Sequence, residues 1–210
     1  MKRAERLRLT LDYLRTVSPP TDTELDYKTP FQLLVAVILS AQCTDKRVNL
    51  VTPALFQAYG TPEAMAEAEI GDILAYIRSV SYPNSKACHL KAAACMIVSD
   101  FGGRVPCDFD QLLRLPGVGR KTANVVIAVG FGLPGLAVDT HVFRVSRRLR
   151  LVPSAANTPT KVEAALKAQI PQDDWAMSHF RLLYHGRYTC KALRPLCRQC
   201  GLNHLCPSKK

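Results

Sequence analysis

Three features of this 210-residue sequence predict an all-α fold. The pairs Thr29-Pro30, Thr61-Pro62 and Thr158-Pro159 each read as a helix N-cap followed by a first-turn proline. The threonine hydroxyl accepts an orphan backbone N–H there, and proline carries none that would go unpaired. Apolar residues return at helical spacing, as in Ile70, Ile73, Leu74 and Ile77. Alternation with a period of two is sustained nowhere, so no stretch reads as a half-buried strand.

Taken in order, the first element is an amphipathic helix with Ala4, Leu7, Leu11 and Leu14 on one face. Residues 30–40 are apolar almost all round and predict a central buried helix. Thr52-Pro53 either starts a new helix or kinks the one that begins near Asp45. Asn84 is placed to cap a helix that ends at Gly102-Gly103. Helices over 108–115 and 121–131 flank a short glycine turn, and a helix over 142–149 follows Asp139. The Pro/Thr/Ser-rich stretches 18–23 and 152–160 read as linkers.

Hydrophobic residues make up 48% of the chain, enough for a buried core and against global disorder. The longest apolar run, 33–39, is far too short to cross a bilayer, so no membrane role is expected. The basic N-terminus lacks the continuous apolar stretch of a signal peptide. An intracellular location, in the cytoplasm or nucleoid, is therefore expected, where clustered cysteines more often mean metal than disulfide. The net charge of +11 suggests a polyanionic partner. It is unevenly spread: 141–210 holds 13 Lys/Arg against 3 Asp/Glu, and 1–22 holds 5 against 3. The middle, 23–140, holds 10 against 11. Basic ends around a neutral middle suit two lobes whose termini come together.

Leu115-Pro116-Gly117-Val118-Gly119-Arg120-Lys121-Thr122 lies between two helical patterns. Two glycines around one apolar residue allow a tight turn whose N–H groups face outward. The following helix adds the partial positive charge of its N-terminus, so a phosphate can dock on backbone alone, blind to base sequence. Lys121 falls in the first turn of that helix. The helix dipole, Arg120 and any burial would each disfavour its charged form and make it a usable amine nucleophile. A plain phosphate-contacting lysine is the other reading. Asp139, in Ala137-Val138-Asp139-Thr140-His141, is placed to cap the next helix, a role compatible with catalysis. His141 reads more simply as structural than as a ligand or base.

Four of the eight cysteines lie close to the C-terminus, as Cys190-x6-Cys197-x2-Cys200-x5-Cys206. Structural zinc sites usually pair two close knuckles across a longer loop. One close pair between spread outer ligands better suits four thiolates around a [4Fe–4S] cubane, with zinc left as the alternative. Cys43, Cys88, Cys95 and Cys107 read as small buried apolar residues.

With these residues in view, the chain resembles the endonuclease III family. The resemblance rests on 115–124, on Val-Asp-Thr-His at 138–141 and on His-Gly-Arg-Tyr-Thr-Cys at 185–190, together with the cysteine spacing. Ser-Ala-Gln-Cys-Thr-Asp at 40–45 and Asn-Ser-Lys-Ala at 84–87 extend it over nearly the whole chain. It implies a six-helix lobe containing a helix-hairpin-helix, about 23–132, and a cluster lobe built from 1–22 and 133–210. Duplex DNA with a damaged pyrimidine or an abasic site would lie across the groove between them, its damaged nucleotide flipped out. By similarity Lys121 attacks the sugar C1′ and forms a Schiff base, Asp139 assists, and β-elimination cuts the strand. This makes the chain a DNA glycosylase and AP lyase of base excision repair, acting as a monomer. Leu115, Gly117, Val118, Gly119 and Arg120 would hold the backbone, and the four cysteines would hold the [4Fe–4S] cluster. Gln42 matches the residue that fills the gap left by the flipped base. Ser81-Tyr82-Pro83 departs from the family's Gly, then Leu or a similar residue, then Tyr; Tyr82 is the candidate wedge there. Two alternatives stand beside this reading. One is a related glycosylase that only hydrolyses the base, which would lack an amine at 121; the other is a non-catalytic helix-hairpin-helix module.

Overall fold

The computed structural model describes residues 1–17 and 22–209. Positions 18–21 of the expected first linker lie outside the described residues. The described residues form α1 (Arg3–Thr16), α2 (Pro30–Ser40), α3 (Asp45–Tyr59), α4 (Pro62–Glu67), α5 (Ile70–Ile77) and α6 (Pro83–Phe101). Then come α7 (Phe109–Arg114), α8 (Arg120–Val125), α9 (Thr140–Arg148), α10 (Pro159–Lys167) and α11 (Trp175–Tyr184). No strand occurs among the described residues, as the all-α expectation required.

The chain divides into two compact units, one made of Met1–Thr23 with Pro134–Lys210 and the other of Glu24–Leu133. The second unit is organised around α2, whose residues Leu33 to Leu39 are all buried. Thr29, Thr44 and Thr61 cap α2, α3 and α4 by accepting the N–H three residues on, each at 3.2 Å. Pro53 lies inside α3, so Thr52-Pro53 marks an interruption of one helix rather than the start of another. Of the four apolar positions of α5, Ile73 and Ile77 are buried and Ile70 is exposed. Helix α6 ends on left-handed Gly102, with the Gly103 N–H returning to the Ile97 carbonyl at 3.0 Å. Its start differs from expectation: Tyr82, not Asn84, is the N-cap, and Pro83 occupies the first turn.

In the first unit, α1 buries Leu7, Leu11 and Leu14 together with Thr10, whereas Ala4 is exposed. Stretch 152–160 is not an inter-unit linker. It joins α9 to α10 within one unit, buries Val152 and Ala156, and supplies the N-cap Thr158. The extended segment before α9 is fixed by His179, whose Nδ1–H donates to the Ala137 carbonyl at 2.8 Å. A carbonyl can only accept, which sets that tautomer. No described helix is long and apolar enough to cross a membrane.

The four scattered cysteines depart from the buried-apolar expectation. Cys88, Cys95 and Cys107 are exposed and Cys43 is half-buried, because the positions fall on turns and outer helix faces.

Candidate active-site residues and metal centre

In the Glu24–Leu133 unit, Asp108 caps α7 through the N–H groups of Asp110 and Gln111, and α7 delivers the chain into the glycine turn. Leu115 and Val118 are buried and anchor the turn from inside. Gly117 adopts φ +79°, and a Cβ there would lie 2.9 Å from the Cβ of His89 on α6. Glycine is therefore required at 117 by the fold itself. Gly119 is different: its φ of −99° suits any residue, and a Cβ there would meet nothing within 4 Å. The expectation that every N–H of the turn faces outward needs correcting, because Val118 donates its own to the Leu115 carbonyl at 3.1 Å. The N–H groups of Gly117 and Gly119 have no such partner among the described residues. Arg120 lays its guanidinium 4.8 Å over the Phe109 ring.

Lys121 stands in the first turn of α8 with its side chain exposed. Burial, one of the three influences expected to prime this amine, is therefore absent. Helix α8 runs on through a π-helical turn, Val126–Gly130.

Gln42 and Tyr82 share an unusual backbone. Only three non-glycine residues among those described have positive φ, and these are two of them, each at φ 55°. Such conformations cost about 1–3 kcal/mol each and persist where the surroundings over-determine them. For Tyr82 the following Pro83 disfavours a right-handed helical backbone. The Tyr82 side chain is 64% exposed. The two turns are tied together: the Ser81 hydroxyl donates to the Gln42 carbonyl at 2.6 Å. Lys86, only 5% exposed, donates from Nζ to the carbonyls of Leu39 at 2.8 Å and Ala41 at 2.7 Å. Burial pulls the pKa of this lysine below its ordinary value, and nearby Cys43 draws it partly back. Lys86 and His89 stand three residues apart on one face of α6, in its first two turns after the Tyr82 cap. That face thus meets the Gln42 turn and the glycine turn. Neither Ser81 nor Lys86 was read as a site residue from the sequence; Asn-Ser-Lys-Ala at 84–87 was the available signal.

In the other unit, Asp139 is the N-cap of α9, with Oδ1 accepting from the Val142 N–H at 2.7 Å. His141 is structural. Nη2 of Arg144 approaches its Nδ1 at 3.1 Å, and since arginine can only donate, that nitrogen is the acceptor. Gly186, in the π-helical turn His185–Thr189 after α11, lets the backbone close onto His141. A Cβ there would lie 2.8 Å from the His141 Cβ.

Cys190, Cys197, Cys200 and Cys206 line one cavity together with His185 and Leu149. Burial pushes the Cys200 thiol above its ordinary pKa, and the other three cysteines push the same way. The Cys206 thiol is raised similarly, against a lowering pull from Arg148. The Cys200 and Cys206 thiols so placed resist ionising unless positive charge enters beside them, as iron would supply. The four cysteines are not gathered on one point: no group of three or more described His, Cys, Asp or Glu residues is arranged to hold a single metal ion. Four cysteines around one cavity match the four thiolates that a cubane takes, one at each corner. Burial lowers the His185 pKa to about 4, so a neutral imidazole faces the Cys200 sulfur, 3.9 Å away.

Helix α9 also grips this loop, which sequence reasoning missed. Arg144 donates to the carbonyls of Cys190 at 3.0 Å and Gly186 at 2.8 Å. Arg148 donates to the carbonyls of Lys191 and Ala192, both at 2.7 Å, and reaches the Cys190 sulfur at 3.5 Å. Gly201 leaves room for the Tyr13 ring of α1, which a Cβ would overlap.

Comparison with known proteins bears on this arrangement. Residues 35–172 match the model of the HhH-GPD superfamily base excision DNA repair proteins. Endonuclease III of Bacillus subtilis is 44% identical over 98% of this chain and 94% of its own. The Escherichia coli K12 protein is 41% identical over 100% and 98%. The chain belongs to the endonuclease III family. It is a base excision repair DNA glycosylase with AP lyase activity. Among solved structures, a trapped endonuclease III–DNA covalent intermediate superposes with a TM-score of 0.94 at 43% identity, covering 99% of this chain and 97% of that one. A thermostable thymine-DNA glycosylase, 23% identical, shares the fold with a TM-score of 0.85.

Proposed function

We propose that this chain, as an intracellular monomer, removes oxidised or saturated pyrimidines from duplex DNA by covalent chemistry at Lys121. Its neutral amine attacks C1′ of the damaged nucleotide. The C1′–N bond breaks with its electrons passing to the base, which leaves protonated, and the sugar ring opens to a Schiff base. Loss of a C2′ proton then expels the 3′ phosphate by β-elimination and cuts the strand. The observation that carries this reading is an exposed lysine in the first turn of the helix behind the glycine turn. The amine is hydrated in the free chain, so water exclusion comes with the bound DNA.

Asp139 keeps Oδ1 on the helix cap, leaving its second oxygen to assist proton transfer and stabilise positive charge on the sugar. The Gly117 and Gly119 N–H groups, with the start of α8, would receive a backbone phosphate. Leu115 and Val118 anchor that turn and Arg120 flanks it. Gln42 and Tyr82 would fill the space left by the flipped nucleotide. Cys190, Cys197, Cys200 and Cys206 would hold a [4Fe–4S] cluster. When bound, its positive irons would let all four thiolates ionise and brace the loop that Arg144 and Arg148 already grip.

Borohydride tests the nucleophile. Reduction of the Schiff base should give a stable complex of protein and strand with the wild-type chain, and none with Lys121→Gln. Base release without trapping would instead point to activated water and the hydrolytic class.

A further inference from the structure

The geometry points to Lys86 and Ser81 as positioning residues that lock the Gln42 and Tyr82 turns in one shared conformation, presenting both side chains to the duplex in fixed register. The inference rests on the proposed gap-filling role of Gln42 and Tyr82. Two exposed polar or aromatic residues adopt the left-handed backbone, and the structure binds them from behind. The Lys86 ammonium holds the Leu39 carbonyl in the last turn of α2 and the Ala41 carbonyl immediately before Gln42. Ser81 holds the carbonyl of Gln42 itself, from the residue immediately before Tyr82. The Lys86 backbone N–H in turn donates to the Tyr82 carbonyl at 3.1 Å. Lys86 thus touches both turns at once, by side chain on one and by backbone on the other.

A buried lysine is a costly way to pair two carbonyls that a hydrated turn would leave to solvent. Its cationic donors give stronger bonds than neutral ones, and two fixed acceptors leave the ammonium little freedom. Here both acceptors lie within the three residues before Gln42, whose backbone is left-handed. Such a lock removes conformational freedom from the wedge before DNA arrives, so that less ordering remains to be done during base extrusion.

The test compares two substrates under single-turnover conditions with borohydride trapping. One is a duplex carrying an oxidised pyrimidine, which must be extruded and excised. The other is a single strand with a preformed abasic site, which needs neither extrusion nor gap filling. Ser81→Ala and Lys86→Met should slow trapping on the duplex about tenfold, the scale of one lost hydrogen bond, and change the single-strand rate less than about twofold. A fluorescent base analogue opposite the lesion should report slower unstacking in the same variants. Lys86→Arg, which keeps the cationic donors, should recover part of the duplex rate. Equal losses on both substrates, or no loss on the duplex, overturns the lock. Should Lys86→Met fail to fold, Ser81→Ala decides alone. Gln42→Ala and Tyr82→Ala run in parallel: no effect of these two on the duplex would sink the gap-filling reading. A normal effect of these two with none from Ser81→Ala or Lys86→Met would sink the lock specifically.

Discussion

Asp139 caps α9 and is proposed to assist the chemistry with the same carboxylate, and substitution separates the two roles. Oδ1 accepts the Val142 N–H, and asparagine caps a helix about as well as aspartate. Asp139→Asn should therefore leave denaturant unfolding nearly unchanged, within about 0.5 kcal/mol. Its single-turnover rate should fall about a hundredfold or more, the scale of a lost acid–base group. Asp139→Ala loses the cap as well and should cost about 1 kcal/mol of stability. Equal destabilisation by both variants, with rates tracking stability, would reduce Asp139 to a cap.

At the scale of an element, the glycine turn is asymmetric. Gly117 is demanded from within, by its positive φ and by His89. At Gly119 a Cβ would meet nothing within 4 Å among the described residues. Gly117→Ala should destabilise the protein by about 1–3 kcal/mol. Gly119→Ala should fold normally yet weaken binding to undamaged and damaged duplexes alike, because the proposed approach there is to phosphate. Normal binding by Gly119→Ala would mean that no backbone comes close at that position. The cysteine loop gives a second element-scale expectation. Purified protein should hold about four irons and four sulfides per chain and be brown. Cys197→Ser should lose both. Arg148→Ala, by releasing the Lys191 and Ala192 carbonyls, should shed iron faster under chelator challenge while the Glu24–Leu133 unit keeps its structure. A colourless, active protein with one zinc would contradict the cluster.

Across the whole molecule, charge divides as the two units do. Glu24–Leu133 holds ten basic and ten acidic residues, so the entire net charge of +11 belongs to the unit built from both termini. Salt-dependent DNA affinity should therefore arise mainly there. Replacing exposed Lys191 and Arg194 by Gln should flatten the plot of log affinity against log salt by about 0.9 for each phosphate no longer neutralised. Replacing exposed Lys46 and Arg104 of the neutral unit should change the slope less, and the reverse ranking would refute the assignment.

The sequence by itself determined the all-α class, most helices and which residues stand as candidates for chemistry. Three of the four Thr-Pro pairs marked helix starts, Gly102-Gly103 marked the end of α6, and the apolar run 33–39 marked the buried core helix, because each signal acts within a turn or two of its own position. Lys121, Asp139 and the four cysteines stand out by residue type and near neighbours, and the structure puts Lys121 in the first turn of α8, Asp139 at the cap of α9 and the cysteines around one cavity. Only the tertiary structure decided what distant segments do to one another. Asn84 and Ala4 were misplaced because a nearby Pro83 and the packing of α1 outweighed local preference. The scattered cysteines came out half-buried or exposed because burial depends on which face a neighbour covers. Ser81 and Lys86 reach backbone carbonyls about 40 to 50 residues away, and Arg144 and Arg148 reach the cysteine loop over a similar span. A carbonyl has no residue-type signature, so bonds made to it across the fold leave nothing in the sequence to read.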